Sequence, residues 1–103
     1  MCGIAGIVSF RDKVDADQIN KMTDVIKYRG PDDEGAISFN LEEKAFKAFK
    51  RKEELNSDFR NSKIYLGHRR LSIIDLSSYG HQPMGYDNDN LWITYNGEIY
   101  NYI

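Results

Sequence analysis

The sequence predicts an α+β fold, and three observations carry that prediction. Residues 2–9 are apolar nearly throughout, the stretch after Asp15 repeats apolar residues at helical spacing, and several short runs rich in β-branched and aromatic residues follow. Taken in order, the apolar run at 2–9 reads as a first strand buried on both faces. Asp15 or Asp17 can cap a helix in which Ile19, Met22, Val25 and Ile26 share a face. That helix must end before Gly30-Pro31, and its single apolar face makes it a cover for a sheet. Residues 35–39 read as a short strand. Leu41 to Leu55, LEEKAFKAFKRKEEL, reads as an exposed amphipathic helix with a narrow stripe of Leu41, Ala45, Ala48 or Phe49, and Lys52. Ile64 to Leu66, Leu71 to Ile74 and Leu91 to Tyr95 are further strand candidates, separated by turn chemistry at Ser77-Ser78-Tyr79-Gly80 and Asp87-Asn88-Asp89-Asn90.

Composition narrows the function classes. A chain of 103 residues holds one modest domain or part of one, and 41% hydrophobic against 29% charged residues fits a soluble globular protein. No apolar run approaches the roughly 20 residues that cross a bilayer, which argues against a membrane role. Ser9, Arg11, Asp12 and Lys13 interrupt the first apolar stretch before a secretory signal core forms, so a cytoplasmic location is expected. One cysteine excludes an intrachain disulfide, and His68 and His81 lie too far apart for a local ligand pair, so no metal site is expected. With 14 basic and 16 acidic residues, net charge −2, nothing in the overall balance favours nucleic acid. Lys44, Lys47, Lys50, Arg51 and Lys52 could meet an anionic partner, but interleaved glutamates fit a solvated helix face better.

The chemistry concentrates in four places. Cys2 stands directly behind Met1. If Met1 is removed, one residue carries both a thiol nucleophile and a free α-amine, which titrates at roughly 7.7 to 8.0 and can accept the thiol proton. Alternatively, Cys2 is a small buried hydrophobe opening a strand. Tyr28-Arg29-Gly30-Pro31-Asp32-Asp33-Glu34-Gly35 is a loop with a rigid turn and mixed charge. His68-Arg69-Arg70-Leu71-Ser72-Ile73-Ile74-Asp75 sets two arginines at the start of an apolar strand. Arg70 can fork onto a substrate carboxylate or form a surface ion pair; His68 reads as a polar strand-edge residue and His81 as a loop residue. Asn96-Gly97, followed by Glu98, supplies a side-chain amide and an unobstructed backbone N–H, the donor pair an oxyanion needs, or else a type I′ hairpin turn.

Together these segments are more specific than any one of them. MCGIAGIV, RGPDDEG, LGHRRLSIIDLS, GHQPM and ITYNGEIYNY, in that order, resemble the N-terminal class II glutamine amidotransferase domain of glutamine-hydrolysing asparagine synthetases. The resemblance implies part of a four-layer αββα N-terminal-nucleophile hydrolase sandwich of two antiparallel sheets, with residues 1–103 as a partial domain. It implies catalysis by Cys2 with Asn96 and the Gly97 N–H as the oxyanion hole. It places Arg70, backbone groups of Leu71, Ser72, Ile73 and Ile74, and Glu98 against glutamine. Ammonia would pass to an ATP-dependent synthetase domain; no cofactor is expected in the domain itself, with ATP and Mg confined to that synthetase partner. The activity implied is that of a carbon–nitrogen ligase using glutamine as amido donor.

Three departures qualify the resemblance. The family domain is longer than this chain and includes an acidic partner for the substrate ammonium that is not among these residues, so this chain alone is expected to be inactive as a glutaminase and to leave Ile4, Ile7, Val8 and the strand around Ile93 partly uncovered, open to homo-oligomerisation. The charged stretch Leu41 to Ser62 is longer than the family connection and would pack outside as an added helix or an extended hairpin. Retained Met1 would block the α-amine. The competing reading is an inactive, truncated or unprocessed module used for binding or assembly; an amidase for something other than glutamine is disfavoured by Arg70 and Asn96-Gly97-Glu98.

Overall fold

The computed structural model describes residues 3–70, 81–86 and 91–93. Four strands, β1 (Gly3–Val8), β3 (Asp33–Asn40), β4 (Ala45–Phe49) and β6 (Ile64–Arg70), form an antiparallel sheet in the order β1-β6-β3-β4. Two-residue strands β2 (Val14–Asp15) and β5 (Asn61–Ser62) pair with each other, as do β7 (Met84–Tyr86) and β8 (Leu91–Ile93), both antiparallel. A nine-residue helix α1 (Asp17–Val25) and a single turn α2 (Ser57–Arg60) complete the described elements, with 3-10 turns at Lys27–Arg29 and Lys52–Glu54. Mixed α/β structure with antiparallel sheets is what the sequence led us to expect.

Strand alternation sorts the sheet into two faces. Ala5, Gly67 and Ala36 lie in one cross-strand row, with Phe49 opposite Ala36; Ile7 and Tyr65 lie in the next. These residues meet Ala16, Ile19 and Leu55 in one apolar cluster beneath α1. Tyr65 anchors it: the ring is fully buried, stands edge-on to Phe49 at 6.4 Å, and its hydroxyl donates to the Val14 carbonyl at 2.7 Å.

Helix α1 covers the sheet as expected, but through a different face. Ala16, Ile19, Asn20 and Thr23 are buried, whereas Met22 and Val25 are exposed. Gly67 explains the shift. A Cβ there would stand 2.9 Å from Thr23 Cγ2 and 3.3 Å from Ile19, so the helix comes down on bare backbone with its smaller side chains. Asn20 tolerates burial because Nδ2 donates to Lys50 O and Oδ1 accepts from Lys52 N–H, at 2.9 and 2.8 Å. Asp15 opens the helix by accepting the Asp17 N–H at 2.8 Å, and the helix gives way to the 3-10 turn just before Gly30-Pro31.

Two expectations are corrected. Strand β1 is buried on one face only: Ala5 and Ile7 pack under the helix, while Ile4 and Val8 on the other face are 51% and 62% exposed. Leu41 to Leu55 is not a helix but the return of a β-hairpin. Asn40 Oδ1 accepts the N–H groups of Glu42 and Glu43, Lys44 turns through φ 52°, and β4 pairs along β3 from Asn40↔Ala45 to Ala36↔Phe49. AFKAF satisfies a two-residue period as well as a helical one, and burial of Phe49 in the core decides between them. The extended hairpin was the other form open to this stretch. The strand expected at 71–74, the turns at 77–80 and 87–90, and residues 94 and 95 of the last strand lie outside the described residues.

Candidate functional site

Strand β6 closes on the doublet Arg69-Arg70, and the apolar strand expected directly after it lies outside the described residues. His68 also departs from expectation: β6 runs between β1 and β3, and His68 is 1% exposed in that interior strand, not at an edge. In register, Arg69 lies opposite Gly3 on one side and Glu34 on the other, and Arg70 lies opposite Asp33. Gly3 directly follows Cys2 in sequence. Three sequence-predicted segments, the residues after Cys2, the RGPDDEG loop and the HRR doublet, thus converge at one end of the sheet.

The loop is held there by backbone. Asp32 N–H donates to Arg70 O at 3.0 Å, and Pro31 forms a parallel bridge with Arg70. A Cβ on Gly30 would fall 2.4 to 2.7 Å from the Arg69–Arg70 peptide atoms, a separation no side chain accepts.

Alternation sends the two arginines to opposite faces. On the helix-covered face Arg69, its side chain 4% exposed, donates to Thr23 O at 3.1 Å and pairs with Asp24 at 3.0 Å and Glu34 at 2.9 Å. Arg51 pairs with the same two carboxylates, at 2.6 Å to Asp24 and 2.8 Å to Glu34. Two guanidiniums and two carboxylates therefore close a ring. The Arg51 hydrogen bond is the main reason the Asp24 carboxyl sits below its ordinary range, helped by the charges of Arg51 and Arg69 and opposed by burial. The same two carboxylates hold Arg51 above the ordinary guanidinium value.

The opposite face carries Arg70 with Asp33, and residues 81–83 lie over it. A Cβ on Gly35 would stand 1.9 Å from Gln82 O and 2.7 Å from His81 Nε2, so this glycine is the seat of that segment. His81 Nδ1 meets Asp33 Oδ2 at 2.5 Å and Lys50 approaches the same carboxylate at 3.5 Å. Burial pushes the Asp33 carboxyl up, but the His81 hydrogen bond and charge, the Lys50 charge and the Glu34 N–H outweigh it, and the net displacement is downward. His81 is a loop residue, as expected, with a defined partner.

Of the sequence-predicted site, the structure places Arg70; Cys2, Leu71, Ser72, Ile73, Ile74, Asn96, Gly97 and Glu98 lie outside the described residues. Sequence reasoning missed the ring of Asp24, Glu34, Arg51 and Arg69, whose members come from four separate segments. The doublet itself held a signal, since neighbouring strand residues cannot serve the same face. Lys50, Arg51 and Lys52 each pair with a carboxylate of the same chain, Lys52 with Asp17 at 2.9 Å. Among the described residues no group of three or more His, Cys, Asp or Glu side chains could hold a metal ion, and no helix is long and apolar enough to cross a membrane.

The glutamine amidotransferase domain family matches residues 39–103. The chain belongs to that family. Over its whole length this amidotransferase-family chain is 44% identical to the second of the proteins provisionally named glutamine-hydrolyzing asparagine synthetases in Methanocaldococcus jannaschii, covering 19% of that protein. It is 36% identical, again over its whole length, to glutamine-hydrolyzing asparagine synthetase 1 of Bacillus subtilis, covering 13% of it. Glutamine-hydrolyzing asparagine synthetase 1 of Arabidopsis thaliana is 29% identical over 99% of the chain, which covers 14% of that relative. The chain thus spans a fifth or less of the length of these relatives. No solved structure matches it significantly.

Proposed function

We propose that the full-length protein carrying this sequence hydrolyses glutamine at Cys2 and passes the ammonia to an ATP-dependent synthetase domain, making asparagine or a related amide. With Met1 removed, the α-amine of Cys2 takes the thiol proton, and Sγ attacks the γ-carboxamide carbon. Asn96 and the Gly97 N–H receive the oxyanion. The C–N bond breaks as the α-ammonium returns its proton to the leaving nitrogen, giving ammonia and a glutamyl thioester; water then releases glutamate and restores the thiol. Arg70 forks onto the substrate α-carboxylate beside the backbone of Leu71 to Ile74, and Glu98 lies against the bound amino acid. This half-reaction uses no cofactor; ATP and Mg belong to the synthetase step. In this reading residues 1–103 are part of the amidotransferase domain, completed by further residues of the same protein, within a four-layer αββα sandwich and in the cytoplasm.

The observation that carries the proposal is the family match combined with the position of Arg70, at a strand end pinned by the RGPD loop and one register step from the strand that follows Cys2. Steady-state kinetics on the full-length protein test it. Cys2→Ala and an unprocessed N-terminal extension should each abolish glutamine hydrolysis. Asn96→Ala should lower kcat about 100- to 1000-fold, and Arg70→Lys should mainly raise KM, because one ammonium cannot reproduce two parallel hydrogen bonds. Full turnover by a protein verified to retain Met1 would refute the shared nucleophile and base.

A further inference from the structure

We propose that Arg51 is a positioning residue for the glutamine site, acting through Arg69 on the strand end that presents Arg70; the inference rests on the substrate role proposed for Arg70. Arg51 lies in the charged stretch between β4 and α2, to which the sequence assigned no role. Three ties fix it there. Its own backbone N–H donates to Glu54 Oε2 at 2.8 Å, Lys50 N–H donates to the same oxygen, and Asn20 of α1 holds the residues on either side of it, Lys50 and Lys52. From this seat its guanidinium joins Asp24 of α1 to Glu34 of β3, the two carboxylates that also hold Arg69.

The geometry gives the ring a directional consequence. Arg69 and Glu34 are a cross-strand pair on β6 and β3, and the adjoining pair, Arg70 and Asp33, faces the other side of the sheet. Fixing the first pair fixes the backbone that aims the second. Glu34 is the more constrained of the two carboxylates, 19% exposed with a guanidinium on each side, whereas Asp24 and Arg51 are half-exposed and partly screened by solvent. The β3–β4 hairpin is thereby a brace reaching from the rim of the sheet to its site end, and removing its arginine leaves Arg69 and both carboxylates paired but unbraced.

Two readouts test this, one of them independent of glutamine turnover. In the full-length protein, amide exchange at Asp32, whose N–H donates to Arg70 O, should accelerate about tenfold in Arg51→Met, while exchange at Ser9, which donates to Lys63 O at the opposite end, stays unchanged. Glutamine KM should rise about three- to tenfold with kcat within about twofold, and the rise should largely vanish when Arg51→Met is placed on Arg70→Lys. Asp24→Asn, at an exposed ring position, should reproduce both effects at smaller size and serves if Arg51→Met folds poorly. Unchanged Asp32 exchange would overturn the brace. Equal KM factors in the two Arg70 backgrounds would overturn its action through Arg70. A wild-type protein that hydrolyses no glutamine would fail the functional proposal alone, leaving the exchange result to decide the brace.

Discussion

The two faces of the sheet at its site end use charge in opposite ways. Beneath α1, Arg69 has no freedom: its guanidinium is enclosed, with Thr23 O, Asp24 and Glu34 around it. One residue along, on the other face, Arg70 is half-buried, next to a carboxylate, Asp33, that His81 and Lys50 already engage. One arginine ties secondary structure together, and its neighbour on the other face is the residue proposed to meet the substrate carboxylate. The two-residue period alone sends these neighbours to opposite faces, so a residue enclosed in the fold and the proposed substrate residue sit next to each other in the chain.

The largest effect should come from removing the enclosed arginine. Arg69→Met should cost about 3 kcal/mol in urea unfolding, the low end for breaking a buried ion pair because Arg51 still neutralises both carboxylates. Arg70→Lys should change stability by less than about 1 kcal/mol. Equal costs would erase the distinction between the faces.

Two glycines on the face away from α1 should respond differently to a methyl group. Gly35→Ala should lose about 1 to 3 kcal/mol, since its Cβ would fall 1.9 Å from Gln82 O and residues 81–83 must move. Gly6→Ala, also on the face away from α1, should stay within about 0.5 kcal/mol, because its nearest new neighbour would be 3.8 Å away. Comparable losses would mean that residues 81–83 are not seated on Gly35.

Acidification should act on both faces together. Asp24 is lowered chiefly by the Arg51 hydrogen bond, and Asp33 is lowered by His81 and Lys50 in spite of burial, each from an ordinary value of 3.8. A carboxyl lowered on folding binds fewer protons in the folded state, so its stabilisation is complete above about pH 4 and is lost as the pH falls through the folded value. Urea midpoints should therefore drop below about pH 4, and less steeply in Asp24→Asn/Asp33→Asn than in the wild type. An unaltered slope would show that neither pair is coupled to folding.

The smallest effect belongs to the opposite end of the sheet, where Lys13 and Glu42 form a 3.2 Å pair between exposed side chains. Lys13→Ala should change the urea midpoint by less than about 0.5 kcal/mol equivalent.

Much of this fold was legible in the sequence because the signals were local. The apolar run at β1, the Asp15 start and Gly30-Pro31 stop around α1, and the apolar start of β6 each name their own element. Where sequence reasoning failed, the deciding partner lay far along the chain. AFKAF became a strand because Ala36 offered Phe49 a place in the core. Met22 and Val25 lost the buried face of α1 to Asn20 and Thr23 because Gly67, across the fold, has no side chain to keep the helix away. The site was legible in the same uneven way. The motif pointed to Arg70, whose backbone the RGPD loop meets and whose role is a proposal, but the ring behind it joins residues 24, 34, 51 and 69, and no spacing rule connects those positions.

Active-site labelling asks whether Cys2 is the nucleophile. The full-length protein, its N-terminus verified by mass, is incubated with 6-diazo-5-oxo-norleucine, a thiol-directed glutamine analogue, and the adduct is located by peptide mapping. One adduct is expected, on Cys2, blocked by excess glutamine and formed more slowly in Arg70→Lys. Glutamine hydrolysis that continues with Cys2 unlabelled, or that survives in Cys2→Ala, would contradict it.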